Sequence, residues 1–143
     1  MAWECGTRAC GTRGILTIAR EEIRKHAPQA RVHISGQEIN PRTWAVCKSD
    51  LLLLDPTAPD RDSVKLGSTL ASDQLAGKSF DYQFANPPYD YKWEADRAAV
   101  TAEAHLGHYG RFGAGLPRIS DGQLLFLQHM LHHVNKGDPS YRH

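Results

Sequence analysis

The stretch "FDYQFANPPYDY", residues 80–91, decides how the chain is read. Phe80 to Phe84 carry aromatic side chains in alternation with polar ones, the pattern of a short strand. Asn86-Pro87-Pro88 follows, a segment that neither continues a ladder nor opens a helix easily. Such stiffness suits a site that must hold Asn86 and Tyr89 at fixed positions. Asn86 offers a neutral side-chain carbonyl, and Pro87 offers a backbone carbonyl on a nearly rigid segment without an N–H of its own. Two acceptors aimed at one point fit an amino group on a planar ring. That nitrogen is a poor nucleophile because its lone pair is delocalised. Binding both of its hydrogens draws it toward tetrahedral geometry, and the interaction strengthens as positive charge develops. Pro88 stiffens the segment, and Tyr89 offers a face for stacking a base flipped out of a duplex. The competing reading is a rigid surface turn; the strand before it and the aromatic after it favour the functional one.

Working outward, strands alternate with helices. Ile15, Leu16, Ile18, Ala19 and Ile23 recur at helical spacing, predicting a helix from 14 to about 26 that ends before Pro28. "ARVHISG" (30–36) alternates as a strand. Asn40-Pro41 opens a second helix, with asparagine as cap and proline in the first turn, and Asp55-Pro56 stops it. "SVKLGSTL" gives a brief strand and a turn at Gly67, and 80–84 is the third strand. Residues 95–104 are helical, "GHYGRFGAGLP" is a glycine-rich loop, and Ser120 or Asp121 caps a last apolar helix. The alternation predicts an α/β layer architecture with a mostly parallel sheet. Three short parallel strands with exposed edges, and a last helix without a following strand, read as the middle of a larger domain.

Composition narrows the rest. The chain has 143 residues, 41% hydrophobic and 23% charged, with a formal net charge of +1. That suits one globular domain and shows no basic stripe for nucleic acid, so any DNA contact comes from a local patch or another subunit. Cys5, Cys10 and Cys47 are too few for a disulfide framework, and no signal peptide or roughly 20-residue apolar span is present, so cytoplasmic localisation is expected. "CGTR" occurs at 5–8 and 10–13, an echo too short for a repeat unit. His129 and His133 stand four apart on one helix with His132 beside them, but no CxxC and no neighbouring carboxylate completes a metal site. A solvated helix face is the expectation, and no metal.

With "GQEINPRTWAVCKSDLLL" (36–53), "GSTLASDQLAGKSFDYQFANPPY" (67–89) and "GRFGAGLPRISDGQLLFLQHML" (110–131), the tetrapeptide resembles the modification subunit of type I restriction-modification enzymes. These are amino-methylating DNA methyltransferases that use S-adenosylmethionine. The resemblance covers residue 9 to about 135. It implies a partial Rossmann-like methyltransferase fold lacking flanking strands, a central fragment of a catalytic domain spanning 1–143. Residues 1–13 would be a degenerate cofactor loop, 14–135 the core and 136–143 a tail. The strand before the cofactor loop is expected to be missing.

The resemblance also implies roles. Asn86, Pro87, Pro88 and Tyr89 become the catalytic motif. Ala9, Cys10, Gly11, Thr12 and Gly14 keep the pattern of the cofactor loop, although its leading Asp-Pro is lost and Arg13 replaces a glycine. Glu38 lies where an acidic residue meets ribose hydroxyls, and Ser68 near the cofactor's adenine. The implied reaction is methyl transfer to N6 of a flipped adenine in double-stranded DNA. The implied partners are a specificity subunit, a second modification subunit and a nuclease-translocase subunit, with no membrane. Activity of the isolated chain is expected to be poor or nil. The alternatives are a non-catalytic remnant that binds subunits or cofactor and, more weakly, a protein-glutamine methyltransferase.

Overall fold

A computed structural model describes residues 2–7, 15–54, 63–87 and 89–135. Its sheet has four parallel strands in the order β3-β2-β1-β4: β1 is Ala2–Thr7, β2 Arg31–Glu38, β3 Val64–Leu66 and β4 Tyr82–Phe84. The expected α/β architecture is therefore present. One expectation is corrected: a strand does precede the segment that the sequence assigns to the cofactor, and β1 sits between β2 and β4. Its register sets Thr7 beside both Gly36 and Phe84, so the carboxyl ends of the strands share one edge.

Helix α1 (Ile15–His26) carries the chain from β1 to β2, and α2 (Pro41–Leu54) from β2 to β3. Arg24, Lys25 and His26 fill the last turn of α1, where positive charge complements the helix dipole. Asn40 caps α2 as the sequence predicts, its Oδ1 accepting from the N–H of Arg42 at 2.9 Å and Thr43 at 3.3 Å. Cys47 and Leu51 on α2 pack with Val32, Ile34 and Val64 of the sheet, joined by Ala19 and Ile23 of α1 and Trp44. Trp44 Nε1 donates to the Val64 carbonyl at 2.9 Å and so ties α2 to β3.

The opposite face of β2 is polar but buried, and the chain returning from β3 to β4 satisfies it. Gln37, fully buried, donates to the Ser72 carbonyl at 2.7 Å and accepts from Gln74 N–H at 3.1 Å. Lys78 Nζ donates to Ser35 Oγ at 3.1 Å. A strand covered on both faces is what a parallel sheet requires.

A second core follows β4, formed by Leu70, Trp93, Val100, Phe112, Leu125 and Phe126. Val100 sits on α3 (Arg97–Ala104), and Leu125 and Phe126 on α4 (Gln123–His132). Neither Ser120 nor Asp121 caps α4. Its N-cap is Gly122, where a Cβ would stand 2.5 Å from the Tyr91 carbonyl oxygen, so close approach to Tyr91 selects glycine. Nor does α4 end without a strand-like neighbour: Val134 bridges Phe80 in parallel, with Phe80 N–H donating to the His133 carbonyl at 2.9 Å.

Candidate functional site

The strand order reverses between β1 and β4. From β1 the chain crosses toward β2 and β3, then returns past them to β4. In open α/β sheets the crevice outside the carboxyl ends at such a reversal is where ligands bind. Among the described residues, four strand ends share that edge: Thr7 of β1, Glu38 of β2, Leu66 of β3 with Gly67 and Ser68 after it, and Phe84 of β4 with Asn86 two residues on. Of the residues that the sequence assigns to the cofactor, Ala9, Cys10, Gly11, Thr12 and Gly14 lie outside the described residues, as does Pro88 of the catalytic motif.

Glu38 is buried at the strand end. Its Oε1 accepts from Asn40 N–H at 2.9 Å, and its backbone carbonyl accepts from Gly67 N–H at 2.9 Å. The carboxylate is thus oriented by the start of α2. With two oxygens and about four lone-pair sites, it keeps capacity for hydroxyl donors. Asn86 is exposed, Pro87 half-buried, and Tyr89 is 92% exposed, an aromatic face open to a planar partner. Asp90 has φ 54, a left-handed conformation that is uncommon for a non-glycine residue and turns the chain directly after Tyr89.

Beyond this turn the segment is anchored in the second core. The Tyr91 ring meets Phe126 edge-on at 5.7 Å, and its carbonyl accepts from Gly122 N–H at 3.1 Å. Trp93, 3% exposed, donates from Nε1 to the Arg118 carbonyl at 2.8 Å. Tyr91 Oη donates to Asp96 Oδ2 at 2.9 Å, while Ser68 Oγ donates to Asp96 Oδ1 at 2.8 Å. Burial, then the bond to Asp96 and its charge, push the Tyr91 hydroxyl up to about 12, so it stays a donor at neutral pH. Ser68 Oγ also accepts from Ala71 N–H at 3.2 Å. The Ser68 hydroxyl therefore serves the protein's own loop, and its donor is directed at Asp96. The sequence reading did not find Asp96 or Tyr91, which no local motif marks.

The histidine expectation is corrected. His129 and His133 are buried, not solvated. Together with Asp73 they form a cluster whose potential ligand atoms all lie within 4.8 Å of one another. The hydrogen bonds argue against a cation at this cluster. Arg111 directs Nε and Nη2 at the Glu103 carboxylate (2.7 and 2.5 Å), Nη1 at the Thr69 carbonyl (2.7 Å) and Nη2 at the Leu70 carbonyl (3.2 Å). The remaining Nη1 hydrogen meets His129 Nδ1 at 2.8 Å. Guanidinium nitrogens only donate, so His129 Nδ1 accepts and its proton resides on Nε2, which removes the lone pair that a metal would need. His133 Nδ1 faces the Lys78 carbonyl at 2.6 Å and therefore donates; its Nε2 meets Asp73 Oδ2 at 2.7 Å.

Burial pushes the Asp73 carboxyl up, but the His133 hydrogen bond and the Leu75 N–H outweigh it and hold the group well below the usual carboxylate range. Glu103 behaves alike: burial opposes ionisation, and the Arg111 hydrogen bonds win. A depressed folded-state pKa contributes stability that is present above the unfolded value, about 4, and is lost as pH falls through the folded one. The thermal midpoint should therefore hold steady above about pH 5 and drop progressively below about pH 4. Asp73→Asn should flatten that drop. A midpoint unchanged down to about pH 3 would contradict the arrangement.

A cavity of about 810 Å³ lies elsewhere, lined by Ser79, Arg111, Gln128, His132 and Asn135 among others. Ser79 and Asn135 set it near Phe80, on the entry side of β4, away from the carboxyl edge.

Comparison with known proteins agrees with the fold. The family model described as N-6 DNA Methylase matches residues 7–138. The methylase subunit of the type I restriction enzyme MjaIX from Methanocaldococcus jannaschii is 22% identical over 128 residues, which is 88% of this chain and 22% of that protein. The crystal structure of a type I restriction-modification methyltransferase subunit from Streptococcus thermophilus superposes with TM-score 0.72 at 22% identity, covering 93% of this chain and 27% of that one. A Listeria monocytogenes structure assigned as a class I S-adenosylmethionine-dependent methyltransferase gives TM-score 0.65 at 18% identity, with 95% of this chain and 37% of that one covered. The chain thus spans 22% of the length of the curated relative it matches.

Proposed function

The chain belongs to the N-6 DNA methylase family, and on that premise we propose that it is catalytic-domain sequence of a type I modification subunit. Its reaction would transfer a methyl group from S-adenosylmethionine to N6 of an adenine in DNA. The observation that supports this reading is that the buried, oriented carboxylate of Glu38 and the segment opening at Asn86 follow the carboxyl ends of β2 and β4, on either side of β1 at the strand-order reversal. Glu38 fits the cofactor because a fixed carboxylate at the end of the second strand suits the two hydroxyls of a ribose.

Bound S-adenosylmethionine supplies a methyl group on a positively charged sulfur, already a strong electrophile. The chain's own residues then have a positioning task. Tyr89 stacks the flipped adenine. The Asn86 side-chain oxygen and the Pro87 carbonyl accept the two N6 hydrogens, and their hold tightens as the nitrogen becomes cationic. The lone pair so released would form the new N–C bond as the sulfur–methyl bond breaks, its electron pair staying on a sulfur that leaves as a neutral thioether, and N6 would then give up a proton to solvent. Double-stranded DNA, a specificity subunit, a second modification subunit and a nuclease-translocase subunit are the proposed partners, in the cytoplasm. Among the described residues no helix is long and apolar enough to cross a membrane. Because the chain spans a minor part of its relatives, we propose that alone it turns over slowly or not at all.

Calorimetric titration with S-adenosylmethionine tests the reading. Micromolar binding that weakens by about tenfold or more in Glu38→Ala is expected, the loss of a hydrogen-bonded charged acceptor. No heat at high protein concentration would contradict it and favour the non-catalytic remnant.

A further inference from the structure

Strands β3 and β4 occupy opposite edges of the four-stranded sheet. At about 4.8 Å per strand spacing they stand roughly 14 Å apart. Ser68 comes two residues after β3 ends, and Tyr91 seven residues after β4 ends. Yet one buried carboxylate, that of Asp96, holds both, taking Ser68 Oγ on Oδ1 at 2.8 Å and Tyr91 Oη on Oδ2 at 2.9 Å. Asp96 therefore links the segments that leave the two edge strands.

We infer that Asp96 is a positioning residue for the proposed transfer: by joining Ser68 to Tyr91 it sets the width of the crevice in which adenine and cofactor meet. This rests on the function proposed above. Asp96 touches neither reactant and acts through its two hydroxyl partners. Three features of the segment support the assignment. The clasp lies two residues beyond Tyr89, with the left-handed Asp90 between them. Tyr91 is fixed independently by Phe126 and Gly122, so the clasp sets the turn against β3 and not merely against the second core. And both side-chain partners of Asp96 among the described residues are hydroxyls, from two loops that open on the same edge.

The test compares Asp96→Ala, Asp96→Asn and Tyr91→Phe in the 143-residue chain by amide hydrogen exchange and by calorimetry with S-adenosylmethionine. Asparagine can accept from Ser68 and donate to the Tyr91 oxygen, so it should behave as wild type. Alanine should raise exchange at 68–72 and 86–91 while leaving β2 and α2 protected, and should weaken cofactor binding about tenfold. Tyr91→Phe, which keeps its ring packing, should loosen 86–91 with 68–72 less affected, and it carries the comparison if Asp96→Ala fails to fold. Wild-type exchange and wild-type affinity in the alanine variant, or in Tyr91→Phe if that variant must stand in, would overturn the inference. Absence of binding by the wild-type chain would instead defeat the proposed function, and the positioning role with it.

Discussion

Replacing Arg111 by methionine should lower the unfolding free energy by about 3–5 kcal/mol, the usual effect of removing one partner from a buried ion pair. Five N–H donors leave four different residues at once: the Glu103 carboxylate, the Thr69 and Leu70 carbonyls and His129 Nδ1. Methionine fills much of the volume, and its thioether donates nothing. Glu103 would remain partly buried as a charge without its counterion, and the Thr69 and Leu70 carbonyls would each lose a donor. The guanidinium also lies 4.7 Å over the Phe112 ring, a contact that would go with it. For a domain with a total of about 5–15 kcal/mol this is a large fraction. Urea unfolding followed by far-ultraviolet circular dichroism checks it, and a change under about 1 kcal/mol would show that the network contributes little.

Trp93→Ala should be comparably damaging, at about 3–5 kcal/mol for a large aromatic removed from a core. Trp93 is nearly fully buried among Leu70, Val100, Phe112, Leu125 and Phe126, and its indole N–H satisfies the Arg118 carbonyl. Loss of the ring leaves a cavity, and loss of the N–H removes one of the two donors to the Arg118 carbonyl, which keeps the Asp121 N–H at 2.9 Å. Trp93→Phe separates the two effects: it keeps most of the packing and forfeits the hydrogen bond, so a smaller cost of about 1–2 kcal/mol is expected. The consequence reaches the site, because Trp93 stands four residues after Tyr89 and anchors the turn that presents it. The variant should therefore also raise amide exchange over 86–91. Equal stability of the alanine variant and wild type would mean that the second core does not fasten this segment.

Much of the first half of the fold was legible because its signals are local. The α1 and β2 patterns have the right periods, and Asn40-Pro41 announces α2 with a cap that the hydrogen bonds bear out. The short strand ahead of Gly67 and the strand before Asn86 were also readable. Strand β1 is not, since "AWECGT" has weak alternation. Its strand character comes from two parallel neighbours, which a local window does not show. The histidines misled for a similar reason. Spacing marks His129 and His133 as neighbours, but their burial depends on Arg111, Asp73 and the Lys78 carbonyl, brought in from 18, 60 and 55 residues away. The cap of α4 was missed because Gly122 is selected by contact with Tyr91, not by a side-chain oxygen. At the candidate site, the acceptor turn and Glu38 carry recognisable signatures, whereas the Asp96 clasp spans 28 residues and has none.

The claim on which the rest depends is where a cofactor and a base would sit. Two-dimensional amide nuclear magnetic resonance of the isotopically labelled chain, with S-adenosylmethionine added to saturation, reports that location residue by residue. The account predicts shift changes gathered at Glu38, Gly67, Ser68 and residues 84–91, along the carboxyl edge of the sheet. Changes confined to the cavity between Arg111 and His132, or no changes at all, would contradict it.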